Sequence, residues 1–174
     1  MKSRSRWLLL GLVVGTSTAL ATGPRFLGAD LSGDEEVPVV STPGKGQLRL
    51  LIYPDGSTIG YELTYSDLQA DATQAHIHLG QPSVNGAISV FLCTNLGNGP
   101  VGTQACPARS GTISGQIDTA SVIGPDAQGI APGQIDRLID ALRERLTYVN
   151  VHTTRSPGGE IRGQIGHGRG GHHH

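Results

Sequence analysis

Aromatic and charged residues are scarce in this sequence of 174 residues, which contains one Trp, four Tyr and two Phe and has 16% charged residues. The formal net charge is −1, and no run of basic residues follows position 6. Surfaces that bind nucleic acids or anionic membranes need a basic patch or stripe. The composition therefore predicts neither a nucleic-acid partner nor an anionic membrane surface as a partner.

Only one long hydrophobic run is present, Trp7 to Leu20, and its position is typical of an export signal. Basic residues precede it at positions 2, 4 and 6, and Ala19-Leu20-Ala21 has the small-x-small pattern of a signal-peptidase site. We therefore expect residues 1–21 to be a cleaved signal peptide and the mature protein to be secreted or periplasmic. The run is short for a bilayer span, so no membrane span is expected in the mature chain. An uncleaved N-terminal anchor is the alternative.

Cysteine is limited to Cys93 and Cys106. Outside the cytoplasm disulfides persist, and a bridge that closes a loop of this length contributes about 3 kcal/mol in the chain-entropy model. A pair of metal-binding thiolates is the alternative, although the spacing is wide and rich in Gly and Pro. The sequence favours a disulfide.

Glycine, in contrast, is abundant, with 26 residues, and short alternating segments lie between the turns that it marks. Gly46 to Tyr53 and Ile59 to Ser66 alternate apolar and polar residues, and Pro54-Asp55-Gly56-Ser57 between them predicts a hairpin turn. Repetition of this pattern predicts an all-β domain over residues 22–166. We expect an antiparallel, Greek-key-like sandwich or flattened barrel of about eight strands.

Three further segments complete the predicted domain organisation. Phe26 to Val40 is interrupted by Gly and Pro and is interpreted as an irregular edge strand that carries the acidic residues 34–36. Pro132 to Leu146 has apolar residues at helical spacing and predicts one amphipathic helix covering the sheet. The Gly/His-rich tail, residues 167–174, is expected to be disordered, and its terminal histidines are either native or tag residues.

The segment Ala72 to Gly80 contains the first two candidate ligands, His76 and His78. In a strand, alternate side chains leave by the same face, so the two imidazoles stand side by side while Ala75 and Ile77 point into the core. Two imidazoles on one rigid strand form half of a metal site.

His152 is the third candidate ligand, and with the first two it completes the histidines that lie outside the tail. Val149 and Val151 alternate with Asn150 and His152, which puts His152 on a polar face of its strand. The sequence therefore predicts a metal site formed by His76, His78 and His152. Three neutral imidazoles suit copper or zinc rather than calcium or magnesium. Solvated surface histidines are the alternative.

Other residues at polar strand positions could assist such a site. Arg162 could attract a small anion, or it could be a surface arginine paired with Glu160 or Glu62. Asn150 could orient a metal ligand by contacting it without binding the metal. Alternatively, it could have a structural role in a turn or in the hydrogen-bond ladder of the sheet.

Four motifs resemble the CHRD domain, a module named from chordin that also occurs alone in secreted bacterial proteins. They are Leu31-Ser-Gly-Asp-Glu-Glu-Val-Pro38, Ala75-His-Ile-His-Leu-Gly80, Tyr148-Val-Asn-Val-His-Thr153 and Gly159-Glu-Ile-Arg-Gly-Gln-Ile165. The resemblance implies an all-β extracellular domain. In chordin-like proteins the module belongs to an antagonist of growth factors, so a metal-free protein-binding or adhesion module is an alternative function.

A second, weaker resemblance is to copper superoxide dismutases. Their His-x-His strand is matched by His76 and His78, their later Val-His strand by His152, and their C-terminal active-site arginine by Arg162. The chain departs from them because it has no metal-bridging histidine and no zinc-binding loop. The resemblance implies a copper-only site; superoxide chemistry is a further step, in which superoxide is the substrate and Arg162 the catalytic residue that guides the anion.

Overall fold

The computed structural model describes residues 23–167. The predicted signal peptide and positions 168–174 of the tail lie outside the described residues. The described part of the chain contains nine strands: β1 (Arg25–Ser32), β2 (Lys45–Ile52), β3 (Ile59–Ser66), β4 (Ala72–Leu79), β5 (Ile88–Thr94), β6 (Gly111–Ile117), β7 (Thr147–Thr153), β8 (Ile161–Gln164) and β9 (Gly166–His167). Short 3-10 helices cover Gly33–Glu35, Thr119–Ser121 and Asp126–Gln128.

Eight of these strands form one antiparallel sheet in the order β5-β4-β7-β8-β1-β2-β3-β6, and β9 pairs with β1. The sheet curls until its two edge strands approach each other. Tyr61 of β3 donates a hydrogen bond to the Leu92 carbonyl of β5 (3.0 Å), and Gln104 Nε2 reaches the Ser114 carbonyl of β6 (3.1 Å). The predicted all-β architecture, a flattened barrel of about eight strands, is confirmed.

The core follows from the alternation read in the sequence. Leu48 and Leu50 of β2 and Leu63 of β3 are buried, and the register pairs Leu48 with Leu63. On β4 the core side chains are Ala75 and Ile77, as predicted. Because successive side chains leave opposite faces, burying these residues fixes which residues of each strand face outward.

The prediction of an edge strand at Phe26 to Val40 is wrong. β1 lies inside the sheet, between β2 and β8, and Leu27 and Leu31 are buried in the core. Of the residues that suggested an irregular edge, Gly28 lies inside β1 and pairs with Arg49, whereas Gly33 and Pro38 come after the strand. Gly33 and Pro38 therefore shape the connection to β2 rather than β1 itself.

The α-helix found among the described residues, α1, runs from Ile135 to Arg143 and is shorter than the predicted Pro132 to Leu146. Its apolar stripe is buried against the core, so the prediction of a covering amphipathic helix is confirmed. Within residues 23–167 no helix has the length and apolar character needed to cross a bilayer.

Cys93 of β5 forms a disulfide with Cys106, as predicted. The bridge ties the loop that follows β5 back onto the strand. Asn95 reinforces this closure because its side chain donates to the carbonyls of Ala72 and Cys106. The alternative of metal-binding thiolates is therefore contradicted.

Candidate metal centre

The register of β4 and β7 brings the three candidate histidines onto one face. His76 lies opposite Asn150, His78 opposite Tyr148, and Gln74 opposite His152. Residues that face each other across an antiparallel pair share a face of the sheet. The even-numbered side chains of both strands therefore point to the same side, away from Ile77 and the core.

The imidazole rings converge. Ring centroids are 4.9 Å apart for His76 and His152, 5.4 Å for His76 and His78, and 6.2 Å for His78 and His152. One nitrogen from each ring lies within 4.8 Å of the others, and the three form a group that could hold a metal ion. The predicted convergence of the three histidines is confirmed.

Although the histidines occupy the outward face, they are buried: His76 is 0% exposed, and His78 and His152 are each 7% exposed. The alternative of solvated surface histidines is therefore contradicted. The sequence pattern gave the correct face but not its burial, because loop segments rather than strands cover it. Two of these segments contribute the carbonyls of Gly86 and Pro157.

Those carbonyls fix the orientation of two rings. Nδ1 of His78 lies 3.0 Å from the Gly86 carbonyl, and Nδ1 of His152 lies 2.9 Å from the Pro157 carbonyl. A carbonyl accepts, so in the neutral rings each Nδ1 carries the proton and each Nε2 keeps its lone pair. Carbonyl partners of this kind position histidine ligands at metal sites. Nε2 of His78 is buried without a hydrogen-bond partner.

Nδ1 of His76 lies 3.2 Å from Nε2 of His152. Since His152 Nε2 is an acceptor, the neutral His76 ring donates from Nδ1, which leaves its own Nε2 buried without a partner. Two nitrogens bound to one ion by bonds of about 2.0–2.1 Å lie about 3.3 Å apart at a tetrahedral angle. The pair is therefore already at ligand spacing once the His76 proton moves from Nδ1 to Nε2, and a ligand nitrogen of His78 lies within 4.8 Å of both.

All three imidazoles are held neutral. Burial, together with charge repulsion from His152 and His78, lowers the pKa of His76 to about 2. Burial lowers the pKa of His78 to about 4, partly opposed by the Gly86 carbonyl. The pKa of His152 is also lowered by burial, against the effect of the Pro157 carbonyl. At neutral pH none of the three rings therefore has to lose an imidazolium proton before it binds a metal.

Two aromatic side chains pack against the rings. Phe91 of β5 meets His76 edge-on at a centroid distance of 4.3 Å, and Tyr148 stacks on His78 at 4.7 Å with planes 5° apart. The Tyr148 hydroxyl also accepts a hydrogen bond from the Gly86 amide at 3.2 Å. Sequence reasoning missed both aromatic contacts, although Tyr148 belongs to one of the quoted motifs.

Arg162 lies beneath the same covering loop. Its guanidinium carbon is 3.5 Å from the centre of the Tyr148 ring, Nη1 donates to Asn85 Oδ1 (3.0 Å), and Nη2 donates to the Val84 carbonyl (2.9 Å). The side chain is 1% exposed, so the alternative of a surface arginine is wrong. Arg162 therefore holds the loop in place. Its catalytic role stays a prediction.

The predicted polar partners separate into two groups. Asn150 joins the site, since it is buried opposite His76 and its amide helps to raise the pKa of His78. Glu160 does not join it, because its carboxylate accepts hydrogen bonds from Thr42 (2.7 Å), Thr153 (2.8 Å) and the Gln69 amide (2.8 Å). Glu62 pairs instead with Arg49.

A buried barrel face that presents three neutral imidazoles defines a β-domain with a candidate metal centre. The sequence matches the family model of the CHRD domain over residues 27–165. The chain therefore belongs to the CHRD family, as its motifs predict. A search of curated proteins found no match to this sequence.

Proposed function

We propose that this CHRD domain binds one copper ion through His76, His78 and His152 after export to a secreted or periplasmic location. The observation that carries the proposal is the convergence of three buried imidazole nitrogens within 4.8 Å. The signal-like N-terminus and the disulfide are consistent with an oxidising compartment.

The donor set supports copper over other ions. Calcium and magnesium prefer oxygen ligands and a closed structural zinc site uses four protein ligands, whereas three nitrogens fit an open copper site or a catalytic zinc site. For a given set of nitrogen ligands, Cu²⁺ binds more tightly than the other divalent first-row metals. Neutral ligands in a buried site, with the Arg162 charge close by, also favour the lower charge of Cu(I).

Superoxide is the proposed substrate if the centre is catalytic. Copper supplies one-electron chemistry by alternating between Cu(II) and Cu(I). The residues of the chain would hold three coordination positions and leave the remainder open. Arg162 adds positive charge next to the site, and a small anion that approached its guanidinium would have to displace the contacts to Asn85 and Val84.

Copper stoichiometry tests the proposal. We would use the full chain with His172, His173 and His174 replaced by Ser, so that the tail does not capture metal. One tightly bound copper, lost in His152→Ala, with superoxide consumption by the copper-loaded protein, is the expected result. Tight copper without superoxide consumption would restrict the function to storage or delivery. No tight copper would leave the metal-free protein-binding module.

A further inference from the structure

Two buried glutamates lie near the histidine face, and their environments differ. Glu160 is saturated by three hydrogen-bond donors, which stabilise its charged form. Glu36 is 6% exposed, and its Oε1 atom has no hydrogen-bond partner. An ionised carboxylate with a bare, buried oxygen is costly. Glu36 is therefore the buried carboxyl near this face whose surroundings disfavour its charged form.

Glu36 is connected to the metal face through Asn150. A Cβ atom at Gly159 would collide with Glu36 Oε1 and lie 2.8 Å from Asn150 Nδ2, so the carboxyl and the amide border the same small space. Asn150 in turn lies opposite His76 in the sheet. Asn150 interacts both with the Glu36 carboxyl, whose pKa it lowers, and with His78, whose pKa it raises. It therefore links the carboxyl to the imidazole group.

Building on the proposed metal site, we propose that Glu36 is its proton-exchanging group: the carboxyl releases its proton when a divalent cation binds the three imidazoles and regains it when the cation leaves. The balance is one Glu36 carboxylic acid plus one cation giving one carboxylate, one bound cation and one released proton. Without this release, a buried site made of neutral ligands would gain the full charge of the cation.

The charges that face Glu36 support this exchange. Burial raises the pKa of Glu36 to about 7, while Arg162 from β8, the Val37 amide and Asn150 from β7 partly lower it. The charge of Glu36 helps to raise the pKa of Tyr148, which also lies on β7. Asp34 and Glu35 precede Glu36 on the same segment and are exposed. Near neutral pH the carboxyl is therefore balanced between its two forms, and one added positive charge nearby shifts it towards the carboxylate.

Glu36→Gln keeps the shape of the side chain and removes its proton, and the exposed neighbour variant Glu35→Gln is the matched control. The test measures the protons released when Zn²⁺ binds at pH 6, by calorimetry in buffers of different ionisation enthalpy, with the tail histidines replaced. Zinc is chosen because it has no redox chemistry. We expect up to one proton fewer from Glu36→Gln than from the wild type or Glu35→Gln.

Equal proton release in all three proteins, with metal bound, would overturn the inference and leave the metal site intact. Absence of tight metal binding by the wild type would instead overturn the proposed function. Infrared difference spectra of the wild type provide a second readout that does not depend on the folding of a variant. Loss of a protonated-carboxyl band on metal addition is expected, and an unchanged band would also overturn the inference.

Discussion

His76 Nδ1 lies 3.2 Å from His152 Nε2, although 76 positions separate the two residues along the chain. The contact exists because β4 pairs directly with β7, two strands far apart in sequence. Ring separations of this kind are rigidly set when each histidine sits inside a paired strand. The site is therefore a property of the sheet, with loops supplying its cover.

Replacing His78 with Ala should weaken copper binding by more than about 100-fold, because loss of a ligand exceeds the ~10–100-fold effect of losing a ligand's hydrogen-bond partner. Tyr148→Phe is the control, since it keeps the ring that stacks on His78 and removes only the hydroxyl. A competition titration with a copper chelator measures both. Similar affinities for the two variants would contradict the ligand role of His78.

The stability of the metal-free protein should fall as the pH drops below about 6.5. His76 and His78 have folded-state pKa values of about 2 and about 4, below the ordinary 6.5. In this window the unfolded chain binds more protons than the folded protein. Each histidine therefore lowers the free energy of unfolding by up to about 1.4 kcal/mol for each pH unit of acidification. The urea midpoint, measured with a chelator present, should decrease accordingly.

Glu36 should oppose this trend. Its folded-state pKa of about 7 lies above the ordinary 4.5, so between these values the folded protein binds the extra proton and stability falls as the pH rises. Glu36→Gln removes this contribution to the pH dependence of the free energy of unfolding. Its stability should therefore depend on pH more steeply than that of the wild type between about pH 4.5 and 6.5. Parallel curves would show that Glu36 is already ionised in the folded protein.

Gly159→Ala should destabilise the protein and weaken the metal site. Its φ of +129° is strained for any residue with a Cβ, and the new atom would collide with Glu36. Gly158→Ala is the matched control, since a Cβ there meets nothing within 4 Å. Thermal and urea denaturation should show that Gly159→Ala lowers the free energy of unfolding by about 1–3 kcal/mol, whereas Gly158→Ala does not. Equal losses for both variants would contradict the close packing of Glu36.

Arg162→Lys should loosen the loop over the histidines while keeping the charge. Lysine cannot reproduce the planar contacts to Asn85, Val84 and the Tyr148 ring. We expect a stability loss of about 1–3 kcal/mol and faster hydrogen exchange at the Gly86 amide. Unchanged exchange would mean that the loop is held by other contacts.

Comparison of superoxide consumption between Arg162→Lys and Arg162→Gln tests the anion-guiding role.

The sequence predicted those parts of the site that depend on strand periodicity. Alternation with Ala75 and Ile77 placed His76 and His78 together, and alternation with valines placed His152 on the same kind of face. The pairing of β4 with β7 is a long-range choice that periodicity cannot reveal.

Residues that depend on the covering loops were not predictable in the same way. Glu36 was read as one of three acidic residues on an edge strand, and Arg162 as a possible surface residue, yet both are buried. Their burial comes from segments without a repeating pattern, such as residues 33–40 and 81–87. Composition and period-2 alternation carry no information about which strand face such segments cover.

The most direct test of the metal site is a crystal structure of the copper-loaded protein, with the ion located by anomalous scattering at the copper edge. We predict one ion about 2.0–2.1 Å from a ring nitrogen of each of His76, His78 and His152. Copper bound elsewhere, or these three rings unchanged with no ion between them at saturating copper, would contradict the account.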